Sequence, residues 1–154
     1  MLVTGCGLGM APVASGTFGS LGGIALAVLM QQFLSGAPLA LGLGALALVL
    51  LLVGCSMTEF SERTFLNKDP KPFVLDEIVG YLAALAIYVA VFGDPGWLAH
   101  AACFFFFRAF DVLKVFPANR LEHLPGAPGI MLDDVMAGIY TGGVLLLIGH
   151  YGWL

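Results

Sequence analysis

The chain has 154 residues, of which 60% are hydrophobic and only 10% are charged, whereas soluble domains average about 25% charged residues. With a mean hydropathy of +0.98, it cannot cover its surface with polar side chains and is predicted to lie in a bilayer. The formal net charge of −4 and the lack of a basic run argue against a nucleic-acid partner.

Five apolar segments follow one another along the chain, and we expect each to form a membrane-embedded helix. They are residues 18–34, 38–56, 73–92, 97–116 and 130–153. Their lengths suit helices that rise ~1.5 Å per residue across a ~30 Å hydrocarbon core. Turns are predicted at 35–38 and 93–96, and a proline- and glycine-rich loop at 117–129. The sequence therefore predicts one domain, residues 1–154, with an all-α polytopic fold.

Charged residues fall almost entirely on one side of this predicted bundle. All six lysines and arginines lie there, and so does every acidic residue except Asp94. Because basic residues accumulate on the cytoplasmic side of membrane proteins, that side is predicted to face the cytoplasm. Acidic residues contribute little to orientation, so topology alone does not explain why they share this side.

The fourth segment carries three charged residues at unusual depth. Trp97 marks its outer interface, and the three residues lie ~16, ~21 and ~26 Å further along the helix axis. They are Arg108, Asp111 and Lys114. Their spacing of three residues places them along one helix face. Ionisable groups at such depth usually face a polar cavity and have a function.

Two acidic pairs stand on the same side, at the inner ends of the third and fifth segments. They are Asp76 with Glu77 and Asp133 with Asp134. Packed together without a cation, these acids would repel one another and take up protons. Carboxylate oxygens suit Mg²⁺ or Mn²⁺ rather than a soft metal. The sequence therefore predicts a divalent metal site at the cytoplasmic end of the bundle.

Glycines accompany both the acids and the first predicted helix. Gly80 and Gly138 each follow an acid by four residues, and they are expected to let two helices approach closely, although ordinary helix packing explains them equally. The glycine-rich residues 15–20 are expected to form a loop before the first helix. Backbone N–H groups of such a loop can hold phosphate. Taken alone, the segment favours a plain turn with a helix cap, whereas its position on the same side as the acids favours phosphate binding.

Four motifs together resemble the phosphatidylglycerophosphatase A family. They are GTFGS at 16–20, VLDEIVG at 74–80, FRAFDVLK at 107–114 and GIMLDDVMAG at 129–138. They occur in the family's order over nearly the whole chain. The sequence departs from the family at Ser15 and Val115, where proline is common, and at Leu75, where an aromatic residue is frequent.

This resemblance implies Mg²⁺-dependent hydrolysis of the terminal phosphomonoester of phosphatidylglycerophosphate, in the inner membrane of a bacterium. Water activated by the metal is the expected nucleophile, with one carboxylate as general base; a covalent aspartyl intermediate is the less favoured route. The predicted catalytic acids, of which all but Asp111 also bind the metal, are Asp76, Glu77, Asp111, Asp133 and Asp134. The predicted phosphate-binding residues are Thr17, Ser20, Arg108 and Lys114.

Three other functions are alternatives to a phosphatase. A small ion or proton transporter would use the buried acids as a relay, and would give ion flux without phosphate release. A CDP-alcohol phosphotransferase needs a D-G-x-x-A-R core, which the sequence lacks. A membrane scaffold without catalytic activity has no use for so many ionisable groups at three helix ends. The phospholipid substrate is the only partner that the sequence predicts.

Overall fold

The computed structural model describes residues 15–56, 74–121 and 127–154, and within these ranges the chain forms six helices and no strand. The predicted all-α fold is confirmed, and each predicted apolar segment overlaps one long helix over most of its length. The charged residues between 59 and 73 lie outside the described ranges. The helices are α1 (Ser15–Gln31), α2 (Gly36–Ser56), α3 (Leu75–Phe92), α4 (Trp97–Leu113), α5 (Ala118–Leu121) and α6 (Ala127–His150).

Three boundaries differ from the prediction. The expected loop at 15–20 is wrong, because these residues are the first turns of α1. Helix α4 ends at Leu113, three residues early, where Lys114 adopts a left-handed conformation with φ 45° and ψ 56°. Helix α5 and the first turn of α6 lie within the predicted loop at 117–129.

Helix α3 is the centre of the bundle and packs against the other four long helices. Every residue from Leu75 to Leu82 is buried, as expected of a helix that is apolar on nearly all its faces. Its closest neighbour is α6, where a β-carbon added to Gly138 would stand 3.1 Å from the carbonyl carbon of Gly80 and would overlap its oxygen. The close approach predicted for these two glycines is confirmed.

The outer surface of the bundle is apolar. Large side chains such as Leu41, Phe105 and Leu147 are 75%, 70% and 65% exposed. Among the described residues, three stretches are long and apolar enough to cross a membrane, namely Gly36–Ser56, Leu75–Phe92 and Met131–His150. A soluble monomer rarely exposes so much contiguous apolar surface, so these features indicate association with a membrane.

The two ends of the bundle differ in character. At one end, the start of α2 and the turn after α3 are joined by a hydrogen bond of 2.7 Å from the Gly36 N–H to Asp94 Oδ1. We call this the turn end. The other end, which we call the acidic end, carries Asp76, Glu77, Asp111, Asp133 and Asp134. The first turns of α1 and α3, the last turns of α4 and the start of α6 meet there.

Candidate active site

Three buried carboxylates meet at the acidic end. Asp76 and Glu77 belong to the first turn of α3, and Asp134 belongs to α6. One oxygen from each lies within 4.8 Å of the other two. The contact between Gly80 and Gly138, one helical turn beyond the acids, holds α3 and α6 close enough for this meeting.

Two oxygens of these carboxylates have no hydrogen-bond partner among the described residues. They are Glu77 Oε2 and Asp134 Oδ2, and both are buried. Burying a carboxylate oxygen without a partner is costly, and nearly all such atoms in proteins are satisfied. A divalent cation held among these carboxylates would offer a partner for such oxygens, and an all-oxygen donor set suits Mg²⁺ or Mn²⁺. The donor chemistry therefore fits the predicted metal.

A guanidinium group lies directly beside this carboxylate cluster. Arg108 Nη1 is 2.6 Å from Asp111 Oδ2, a charge contact that lacks the alignment of a hydrogen bond. The same group faces α1, because a β-carbon added to Gly16 would stand 2.7 Å from Arg108 Nη1 and 2.6 Å from Glu77 Oε1. With a quarter of its side chain exposed, Arg108 retains donors for an anion, which a guanidinium can bind through two parallel hydrogen bonds.

A second ion pair stands next to the cluster. Lys114 Nζ lies 2.6 Å from Asp133 Oδ2, and Asp133 Oδ1 accepts a 3.0 Å hydrogen bond from the Asp134 N–H. Both oxygens of Asp133 are thus occupied, unlike those of Glu77 and Asp134. Asp133, which the sequence predicted as a metal ligand, is not among the three carboxylates that meet.

Asp111 connects these groups. It pairs with Arg108. Its carboxylate also lies close enough to Glu77, Asp133 and Asp134 for their negative charges to repel one another. The structure therefore brings all seven predicted charged residues to one end of the bundle.

Helix α1 contributes mainly backbone to the site. A β-carbon added to Gly19 would stand 3.0 Å from Glu77 Oε2, so both Gly16 and Gly19 lie against this carboxylate. The Ser20 hydroxyl is buried and donates to the Gly16 carbonyl at 3.0 Å, while Thr17 is half-buried. Sequence analysis attributed these glycines to loop conformation and missed their contact role. Their spacing of three residues, which places them on one helix face, was the available signal.

Known proteins resemble this chain over nearly its full length. A family model described as phosphatidylglycerophosphatase A matches residues 1–149. A protein of that name from Haemophilus influenzae is 35% identical over 152 residues, which cover 98% of this chain and 88% of the relative. Its namesake from Escherichia coli K12 is 30% identical over 153 residues, covering 98% and 83%.

A third relative carries a different name. This protein of Bacteroides thetaiotaomicron, named provisionally as a phosphatidylinositol-3-phosphatase, is 30% identical over 155 residues, covering 100% of this chain and 93% of the relative. No solved structure gives a significant match to the chain.

Proposed function

The chain belongs to the phosphatidylglycerophosphatase A family, and we propose that it hydrolyses the terminal phosphomonoester of phosphatidylglycerophosphate to phosphatidylglycerol and inorganic phosphate. The observation that carries this proposal is the meeting of three buried carboxylates within 4.8 Å of one another beside the Arg108 guanidinium. Positive charge from a metal ion and from Arg or Lys side chains stabilises a transferring phosphoryl group. The site offers carboxylates that would hold a metal and a guanidinium beside them. The family match does not support the transporter alternative.

Asp76, Glu77 and Asp134 are the proposed metal ligands. The unpartnered oxygens Glu77 Oε2 and Asp134 Oδ2 support this choice. Bound Mg²⁺ would supply a Lewis acid for the phosphoryl oxygens and would activate water for attack.

Arg108 and Lys114 are the proposed phosphate-binding residues. Arg108 can hold two phosphate oxygens in parallel, and Asp111, 2.6 Å from its Nη1, orients the guanidinium. Lys114 adds a point charge, and we propose that Asp133 serves to hold it there. The Thr17 hydroxyl is a further proposed contact, whereas the Ser20 hydroxyl is engaged by the Gly16 carbonyl and stabilises the start of α1.

The hydrolysis needs one proton removed and one supplied. A carboxylate of the site takes a proton from the attacking water as the new P–O bond forms, and the glycerol oxygen gains a proton as its bond to phosphorus breaks. The buried position of the carboxylates keeps bulk water away from this exchange.

The proposed location is the inner membrane of a bacterium, with all five long helices embedded and the acidic end facing the cytoplasm. The bacterial relatives support a location in a bacterium. The cytoplasmic orientation is supported by the basic residues at the acidic end of the bundle, namely Arg108, Lys114 and Arg120.

One assay tests the proposed function directly. Phosphate release by the purified protein in mixed micelles would be measured on phosphatidylglycerophosphate, phosphatidic acid and phosphatidylinositol 3-phosphate, each with Mg²⁺ or with EDTA. We expect release from phosphatidylglycerophosphate in Mg²⁺, its loss in EDTA, and its return when Mg²⁺ is restored. Absence of release from this lipid, or faster release from phosphatidylinositol 3-phosphate, would refute the proposal.

A further inference from the structure

A chain of hydrogen bonds, buried at Tyr81 and His100 and half-buried at Gln31, links three helices towards the turn end, away from the acids. The Tyr81 hydroxyl of α3 lies 2.7 Å from His100 Nδ1 of α4. His100 Nε2 lies 2.8 Å from Gln31 Oε1 of α1, and Gln31 Nε2 donates to the Pro95 carbonyl at 3.1 Å. Tyr81 and His100 are buried. Four parts of the fold are thus joined by three consecutive polar contacts.

The partners fix the direction of each hydrogen bond. The Pro95 carbonyl can only accept, so the Gln31 amide nitrogen faces it and the amide oxygen faces His100. His100 Nε2 must therefore carry a hydrogen, and in the neutral imidazole Nδ1 accepts from the Tyr81 hydroxyl. The side-chain atoms of the chain have one mutually consistent arrangement, so the network specifies a single geometry.

The interface between α1 and α3 does not specify a geometry in the same way. Three glycines of α1 lie against α3: Gly16 and Gly19 against Glu77, and Gly23 against the Tyr81 ring, where an added β-carbon would stand 2.9 Å from Cδ1. Glycines permit close approach, but they offer no side chains that interlock with the neighbouring helix. Directional hydrogen bonds are better suited to fix how α1 sits along and around α3.

The position of α1 matters because the same helix reaches the acidic end. Gln31 and Gly16 are ~22 Å apart along the helix axis, and Gly16 lies against Glu77 and Arg108. A shift or rotation of α1 at Gln31 is therefore carried to the site. We propose that Tyr81, His100 and Gln31 are positioning residues, which hold α1 so that its backbone confines the Glu77 carboxylate and the Arg108 guanidinium. The activity consequences of this inference rest on the proposed function.

A pair of neighbouring glutamines provides a matched test. Gln31→Met removes the link to His100 and Pro95 at nearly constant volume. Gln32→Met is the control, because the exposed Gln32, which follows the last residue of α1, makes one side-chain hydrogen bond within the described ranges, to the Val28 carbonyl at 3.5 Å. We expect Gln31→Met to speed amide hydrogen exchange in residues 15–20 and to lower kcat about tenfold, with KM changed less than about twofold. Gln32→Met should change neither.

Two substitutions of His100 separate positioning from simple packing. A glutamine at residue 100 can present its amide where Nε2 lies and keep the link to Gln31, whereas an asparagine reaches only the position of Nδ1 and keeps the link to Tyr81. If the link to α1 is what matters, His100→Gln retains more kcat than His100→Asn. If His100 only fills space, both variants lose the ring and should be impaired alike.

The experiments distinguish failure of the positioning inference from failure of the proposed function. Equal exchange rates at residues 15–20 in the Gln31→Met and Gln32→Met proteins would overturn the positioning inference, as would His100→Gln performing no better than His100→Asn. If the wild-type protein released no phosphate from any lipid, the proposed function would fail, but the exchange comparison would still decide the role of the network.

Discussion

Gly16 of α1 and Glu77 of α3 are in such close contact that a β-carbon at residue 16 would stand 2.6 Å from Glu77 Oε1. The same β-carbon would stand 2.7 Å from Arg108 Nη1. Helix α1 therefore covers both the proposed metal ligand and the proposed phosphate-binding group with bare backbone. Any larger residue would have to displace the ends of these two side chains.

We expect Gly16→Ala to abolish most activity while leaving the protein folded. The three atoms nearest the added methyl belong to the flexible ends of Glu77 and Arg108, which can move aside. A displacement of ~1 Å at reacting groups can nevertheless cost ~100-fold in rate. The control is Gly44→Ala on α2, where nothing lies within 4 Å of the added carbon. Phosphate release and thermal unfolding would be measured for both. Wild-type activity in Gly16→Ala would contradict the proposed arrangement.

Replacing Asp134 by asparagine should remove activity without preventing membrane insertion. The change keeps the side-chain volume but removes one of the three carboxylates that meet at the site. Because replacing even an outer-shell partner of a metal costs ~10–100-fold, we expect a larger loss here. Asp94→Asn is the control, since Asp94 lies at the turn end and asparagine keeps the oxygen that accepts from the Gly36 N–H. Comparable activity in the two variants would exclude a metal role for Asp134.

Asp133→Asn should behave differently from its neighbour. Asp133 faces Lys114 at 2.6 Å, so its loss is expected to weaken phosphate binding through Lys114 rather than metal binding. We expect KM to rise about tenfold, or ~1.4 kcal/mol, with little change in the Mg²⁺ concentration that gives half-maximal activity. A Mg²⁺ titration of both Asp variants checks this. A large shift in the Mg²⁺ requirement of Asp133→Asn would restore it as a metal ligand.

The contrast between these neighbours shows where sequence reasoning stops. A charge inside an apolar segment is conspicuous, so the residues that gather at the acidic end could be predicted from the sequence alone. Adjacent residues on a helix point ~100° apart, however, and only the packing of α6 against α3 decides that Asp134 rather than Asp133 meets Asp76 and Glu77. The rotation of α6 about its own axis, which decides which of the two acids faces α3, cannot be predicted from the sequence alone.

Glycine caused an error of prediction at the start of α1. Residues 15–20 were expected to be a loop because glycine is frequent in loops, yet they are helical. Gly16 and Gly19 are needed for what touches them, and that partner is distant in sequence. The network of Gln31, Tyr81 and His100 was missed for a similar reason, because each residue alone is a minor polar interruption of an apolar segment.

The contact between α3 and α6 leads to a graded prediction for three glycines of α6. A methyl at Gly138 meets the Gly80 backbone, a methyl at Gly142 meets the Ile87 side chain with Cδ1 at 2.7 Å, and a methyl at Gly143 meets nothing within 4 Å. Backbone cannot move aside as a side chain can. We therefore expect Gly138→Ala to lower the free energy of unfolding by about 1–3 kcal/mol, the usual cost of overpacking, with a smaller loss in Gly142→Ala and none in Gly143→Ala.

Activity should follow the same order for a separate reason. Asp134 stands one turn before Gly138, so a methyl that separates α3 from α6 also separates Asp134 from Asp76 and Glu77. Gly138→Ala should therefore lose activity at temperatures where it is still folded, whereas Gly142→Ala should remain active until it unfolds. Thermal unfolding in detergent and phosphate release below the midpoint would be measured on all three variants. Equal stability and activity across the series would mean that the glycine contact does not hold the carboxylates together.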